Sequence, residues 1–192
     1  MKTFVVIGLG RFGSAVAEEL CRLGNEVLAI DKREELVRAI ADKVTHAVVG
    51  DGQDPEVLRT LGVGNYDCAI MAVSDDLGDS VLITLNLKDL GVKHIICKAK
   101  SHVHREVLTR IGADEVVFPE HEIGRKLAGR LTNADILNFI EVSDEYEIVE
   151  MNLPKGWIGR SLRTLDVRAK YHINIVAIRG AGGVMHVSPD AD

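Results

Sequence analysis

The stretch Phe4–Val5–Val6–Ile7–Gly8–Leu9–Gly10–Arg11–Phe12–Gly13 decides the fold. An apolar run leads into three glycines at the GxGxxG spacing, and an amphipathic segment follows at once. Gly8 permits a tight strand-to-helix turn, Gly10 lets a phosphate approach the backbone, and Gly13 lets the helix sit close on a sheet. The helix start then offers unpaired N–H groups and the positive end of its dipole to an anion. Outward from the loop, a second apolar strand near 26–30 leads into Asp31, where this arrangement places an acid on ribose hydroxyls. A lone glycine motif is weak evidence. Strand, glycines, helix, strand and acid in register predict a nucleotide site.

The same rhythm continues beyond Asp31. Strands are expected near 3–7, 26–30, 45–49, 68–73, 94–98 and 115–118, and helices near 12–23, 33–42, 55–61, 76–90, 102–111 and 121–132. In the first helix Phe12, Val16, Leu20 and Leu23 share one stripe, and Gly24 is placed to end it in a left-handed cap. Asp54–Pro55 reads as an N-cap and first-turn proline. CAIMAV at 68–73 is apolar on both faces, as a central parallel strand must be. The alternation predicts an α/β fold with a doubly wound parallel sheet and its ligand beyond the strand C-termini.

After about Thr132 the pattern changes. The segment 139–192 reads as a strand at 146–151, a turn at Pro154–Gly156, a short helix at 161–166, a strand at 173–178, a glycine-rich hairpin at Gly180–Gly183 and a strand at 184–187. This is a small α+β unit, marginal alone, expected to pair with a copy of itself or to lack its last strands.

Composition narrows the function. The 192 residues carry 46% hydrophobic and 27% charged side chains, the balance of a soluble globular protein. No apolar run approaches the ~18–20 residues that span a bilayer. The apolar segment after Met1–Lys2–Thr3 is too short for a signal peptide, so a cytoplasmic location is expected. A net charge of −6 argues against nucleic-acid binding. Cys21, Cys68 and Cys97 form no CxxC and read as packing residues. The seven histidines make no metal-ligand pattern and read as surface or capping side chains; His102 and His104 point apart on a helix.

In a doubly wound sheet, strand ends gather a defined set of side chains. The loop Gly8, Gly10, Arg11, Phe12, Gly13 holds phosphates. Asp31 takes the ribose and repels a 2′-phosphate, while the neighbouring Lys32 and Arg33 keep NADP within reach. Asp51, in Gly50–Asp51–Gly52, either bonds the exocyclic amine of adenine or caps the next helix. Ser74, with Asp75 and Asp76, faces the glycine loop or serves as N-cap for the helix at 76–90. Lys98 either meets the ligand or is a solvated end of the fifth strand. Pro119–Glu120 are placed at the end of the sixth. Arg11 stands at the mouth of the loop, where a guanidinium chelates phosphate oxygens and favours a multiply charged tail. That cation makes ATP or ADP as plausible as a dinucleotide.

VIGLGRFG (6–13), EVLAID (26–31), THAVVGD (45–51), IGADEVVFPE (111–120), LNFIEVSDEYEIVE (137–150) and VRAKYHINIVAI (167–178) together resemble the KtrA/TrkA group of RCK proteins, nearest the KtrA branch. The resemblance implies a Rossmann-type RCK N-terminal nucleotide domain at 1–138 and an RCK C-terminal domain at 139–192. It implies a cytoplasmic regulator of potassium conductance, not an enzyme. Such a regulator assembles from dimers into an octameric ring on the inner face of the membrane, beneath a KtrB/TrkH-like subunit that conducts K⁺. ATP or ADP, or NAD/NADH in TrkA relatives, sets the ring geometry. The matching nucleotide positions are Gly8, Gly10, Arg11, Gly13, Asp31, Asp51, Ser74 and Lys98, with Phe12, Lys32 and Gly52 beside them. Arg11 matches the arginine that senses the γ-phosphate. Glu120 matches a glutamate near the nucleotide across the dimer contact, where it helps hold a divalent or monovalent cation. The helix at 121–132, with Ile123, Leu127 and Leu131 on one face, matches the crossover that packs on the partner subunit.

Two departures stand out. Family C-terminal domains continue through a further strand ending in a Gly-Asp turn and then an apolar strand, so the sequence reads as truncated. An intact domain would add a cyclic di-AMP site, with Arg168, Asn174 and Pro189 where its contacts fall. Gly50–Asp51–Gly52 is nearer the TrkA form of that loop. Two other functions compete. An NAD-dependent oxidoreductase suits the glycine loop and Asp31, but the residues after the sheet offer only His172 and His186 and no partnered carboxylate pattern. A redox-sensing repressor would need a winged-helix reader, and no basic recognition helix is apparent.

Overall fold

A computed structural model of the chain describes residues 1–73, 76–132, 136–141, 146–180 and 182–190, and its internal contacts divide the chain into Met1–Ile123 and Gly124–Asp192. The first unit alternates β1 (Thr3–Ile7), α1 (Arg11–Arg22), β2 (Glu26–Asp31), α2 (Glu34–Ile40), β3 (His46–Val49), α3 (Pro55–Thr60), β4 (Cys68–Met71), α4 (Leu77–Asp89), β5 (Ile95–Lys98), α5 (His102–Arg110) and β6 (Glu115–Val117). The chain leaves this unit through α6 (Pro119–Thr132). The strands form one sheet in the order β3-β2-β1-β4-β5-β6, every pair parallel. This is the doubly wound order, and the direction of winding reverses between β1 and β4.

Period-two side-chain alternation builds a core on each face of the sheet. Val5, Ile7, Leu28, Ile30, Ala69 and Met71 face Leu58 of α3, Ile83 and Leu87 of α4 and Leu108 of α5. Val6, Val27, Ala29, Cys68 and Ile70 face Ala17 of α1 and Val37 and Ile40 of α2, with Phe12, Val16 and Leu20 packed alongside. Each fully buried valine, leucine, isoleucine or methionine among them contributes about 1.5–3 kcal/mol by leaving water. Leu23 departs from the expected stripe: it caps α1, outside the helical turn, and is 61% exposed. Gly24, at φ +81°, closes that helix by donating its N–H to the Cys21 carbonyl.

Caps set the helix starts. Asp54 accepts the Glu56 N–H, and Pro55 occupies the first turn of α3. The cap of α4 is Asp76, whose Oδ1 accepts the N–H groups of Gly78 at 2.6 Å and Asp79 at 3.2 Å. The capping role weighed for Ser74 and Asp75 therefore falls to Asp76, and Ser74 and Asp75 themselves lie outside the described residues. Pro119 and Glu120 do not end the sixth strand as expected. They open α6, because proline has no N–H to pair and its fixed φ suits a first turn.

Between the sheet and its covering helices lies a buried polar chain. Ser80 Oγ donates to the Leu77 carbonyl at 2.9 Å, so the 2.7 Å contact to His104 is a bond donated by Nε2. His104 Nδ1 then accepts the Lys100 N–H at 3.4 Å, which fixes one neutral tautomer. Thr84 Oγ1 donates to the Ser80 carbonyl and meets Cys97 Sγ at 3.4 Å. His104, expected at the surface, is thus buried. Burial, then the charge of Lys100, holds its pKa below the ordinary histidine value. The unfolded chain takes up a proton near pH 6.5 that the folded one refuses, so this contribution to stability is intact above that pH and is lost as pH falls below it. Urea midpoints at pH 7.5 and 5.5 check this. The wild type is expected to lose more stability over that interval than His104→Gln, and equal losses would remove His104 from the linkage.

Among its described residues the second unit contains two antiparallel pairs, β7 (Ile136–Glu141) with β8 (Glu147–Met151) and β9 (Ala177–Arg179) with β10 (Met185–Val187). Between them lie α7 (Leu162–Leu165) and α8 (Val167–Tyr171), where one helix at 161–166 was expected. Asp166 at φ +48° ends the first and starts the second. The strand expected at 173–178 shortens to Ala177–Arg179. Leu165 and Val167 are buried, Trp157 and Tyr171 rings meet at 5.5 Å, and Arg179 pairs with Glu150 at 3.0 Å. Among the described residues, no helix is long and apolar enough to cross a membrane.

Candidate functional site

The C-terminal ends of β1, β2, β4 and β5 surround the start of α1, and the glycines there do three different jobs. Gly8 sits at φ +95°, where a side chain is strained, and a Cβ would lie 2.8 Å from Val73 Cγ2. Gly13 packs so closely on the turn that a Cβ would overlap the Gly8 carbonyl oxygen. Gly10 has nothing within 4 Å of where its Cβ would be, and its backbone is extended. Space that packing does not need is left in front of Gly10. Gly52, in the turn that follows β3, is buried with a hypothetical Cβ 2.6 Å from Ile7 Cγ2, so it lets its loop close over β1.

Asp31 ends β2 and is only 6% exposed. Its Oδ2 accepts the Leu9 N–H at 2.7 Å, and its Oδ1 accepts the Arg33 N–H at 2.9 Å. The carboxylate therefore ties the glycine loop to β2; Oδ1 also accepts the Arg33 Nε–H at 3.4 Å, while Oδ2 keeps a second lone pair for a ligand hydroxyl. Lys32 is exposed beside it. Asp51 is exposed and accepts the Gln53 N–H at 2.9 Å; its helix-capping alternative is taken by Asp54.

Lys98 is not a solvated strand end. Its side chain is 13% exposed, its Nζ donates to Glu120 Oε1 at 2.6 Å, and the ammonium lies 5.7 Å from the centroid of the Phe12 ring. The bond from Lys98 holds the Glu120 carboxyl below the usual carboxylate range, and the charge of Arg11 adds to this. The fold thus gathers Arg11, Phe12, Lys98 and Glu120 beside the phosphate loop. Arg11, in the first turn of α1, is exposed.

The Asp31–Leu9 tie and the Lys98–Glu120 pair escaped the sequence reading. A signal for the second was present: β5 and β6 are adjacent, with Lys98 beside Val117, so a helix opened by Pro119 brings Glu120 over that strand end. Cys68 and Cys97 are buried and free, with burial pushing each thiol up to about 11, so they pack and do not react. Among the described residues, no cluster of three histidine, cysteine or acidic side chains is set to hold a metal.

A glycine loop at the switch point of a doubly wound sheet, with an acid on its second strand, defines a dinucleotide-type α/β domain. The model of the TrkA-N domain matches residues 4–119, and the chain belongs to that family. Ktr system potassium uptake protein A of Bacillus subtilis (strain 168) is 43% identical over 183 residues, which is 95% of this chain and 82% of that protein. The structure of the GsuK channel bound to NAD superposes with a TM-score of 0.67 at 19% identity, over 96% of this chain and 34% of that one. The crystal structure of GsuK bound to ADP gives a TM-score of 0.61 at 24% identity, over 70% and 36%.

Proposed function

We propose that this chain is the nucleotide-binding regulatory subunit of a potassium uptake system, a gate and not an enzyme. The observation that carries the reading is the meeting of a phosphate-cradling loop, Asp31 and the cations Arg11 and Lys98 at one set of strand ends, in a chain 43% identical to a potassium uptake protein. The ligand is an adenine nucleotide, ATP or ADP, with NAD(H) as the variant that the NAD-bound channel of the same fold suggests. In this reading residues 1–138 take the nucleotide and 139–192 form the C-terminal regulatory domain. A separate membrane subunit conducts K⁺, and the chain works on its inner face in a ring built from dimers. Ile123, Leu127 and Leu131 of α6, all exposed, supply apolar surface for the dimer contact.

The physical logic is differential affinity. A ligand moves an assembly only by the difference in its binding energy between two shapes, typically ~1–3 kcal/mol per site. Arg11 supplies such a difference by touching a γ-phosphate that ADP lacks. Calorimetry on Arg11→Ala tests this. ATP is expected to weaken about ten- to a hundredfold while ADP changes little, the range for one charged hydrogen bond. Equal losses for the two nucleotides would remove Arg11 as the discriminating group.

A further inference from the structure

We propose that the Lys98–Glu120 ion pair is a displaceable lock, with Glu120 holding the place that a terminal phosphate takes when the nucleotide enters. This rests on the crevice being a nucleotide site, and it adds to Arg11 a second source of selectivity, one that also couples the site to α6 through one exchange of partners.

The two halves of the pair are unequal. Lys98 is 13% exposed and its ammonium lies against the Phe12 ring, so it is nearly enclosed and needs an anion. Glu120 is 65% exposed and reaches Lys98 from the first turn of the helix by which the chain leaves the first unit. A phosphate oxygen offers the same kind of charged acceptor as the carboxylate, with more charge. Phe12 and Arg11 follow directly on Gly10, the glycine with open space before it, so a polyphosphate seated on the loop extends toward Lys98. A ligand long enough to reach the ammonium evicts Glu120 and frees the first turn of α6. A shorter one leaves the pair closed.

Titration calorimetry in divalent-free buffer, on the full chain, tests the exchange with ATP and ADP as probes. In Glu120→Gln the competitor is gone, so ATP is expected to bind about tenfold more tightly and ADP nearly as before. In a Lys98→Gln background the same Glu120→Gln change is expected to have no effect. A gain of equal size in that background would mean general charge relief and would overturn the lock, as would no gain at all. Hydrogen exchange of the Glu122 amide, which donates to the Phe118 carbonyl at 3.0 Å, is expected to quicken in the wild type with ATP and not with ADP, and an unchanged rate would overturn it too. A wild type that binds neither nucleotide nor NAD(H) would defeat the nucleotide reading itself, a failure distinct from the lock alone.

Discussion

Gly13→Ala is expected to lower the melting temperature by about 6–12 °C, the shift that goes with ~3 kcal/mol of overpacking in a domain of this size. The added methyl would meet the Gly8 carbonyl oxygen and the Ala72 Cβ, not the yielding end of a flexible side chain. Gly8 is itself pinned, since its N–H donates to the Ile30 carbonyl at 2.8 Å and its φ of +95° admits little else. Relief would have to come from moving α1 off the sheet, which opens the core around Ala17, Val6 and Val27. The partner experiment is Gly10→Ala. There the methyl projects into open space from extended backbone, so the melting temperature should stay within about 2 °C of wild type. Nucleotide affinity, in contrast, should fall by at least tenfold, because the methyl occupies the approach of the phosphates. Thermal melts and calorimetry on the pair give four values. A Gly13→Ala protein that melts with wild type would show that the close packing of α1 on the turn is not required.

The different duties of those glycines mark how far the sequence could be read. Spacing showed which residues form the turn, because only glycine tolerates the positive φ at Gly8 and the contact at Gly13. The parallel, doubly wound class of the sheet followed from apolar strands alternating with amphipathic helices, since parallel strands need crossovers and these have one hand. What spacing did not reveal was pairing between side chains distant in sequence. Asp31 was legible as an acid at a strand end, but its hold on the Leu9 N–H depends on how tightly the loop folds back. Lys98 and Glu120 were each visible, yet their bond required knowing that Pro119 opens a helix and does not finish a strand. In the second unit, the break between α7 and α8 turns on a left-handed Asp166, a conformation that no local pattern announces for a non-glycine residue. His104 was misplaced for a similar reason. A histidine on a short helix looks like surface until Ser80, from a different helix, is seen to satisfy it.

Asp31→Ala is expected to damage the site through the loop as well as through the ribose. Leu9 is 2% exposed, and its N–H has Asp31 Oδ2 as the acceptor that completes the turn. Removing the carboxylate strands that donor away from water at a cost of about 1–3 kcal/mol, and frees the loop from β2. An asparagine at this position would not repair it, since both carboxylate oxygens accept N–H groups, from Leu9 and Arg33, and an amide has only one oxygen to offer. Asp31→Asn should therefore fall between wild type and Asp31→Ala in melting temperature. Inorganic tripolyphosphate separates the two roles, because it has phosphates and no ribose. If Asp31 served only the ribose, its loss would weaken ATP and leave tripolyphosphate untouched. With the carboxylate holding the loop in shape, both ligands are expected to weaken about tenfold or more, since the N–H groups that cradle phosphate lose their fixed arrangement. Tripolyphosphate binding that survives Asp31→Ala unchanged would return Asp31 to the ribose alone and leave the shape of the glycine loop to its glycines.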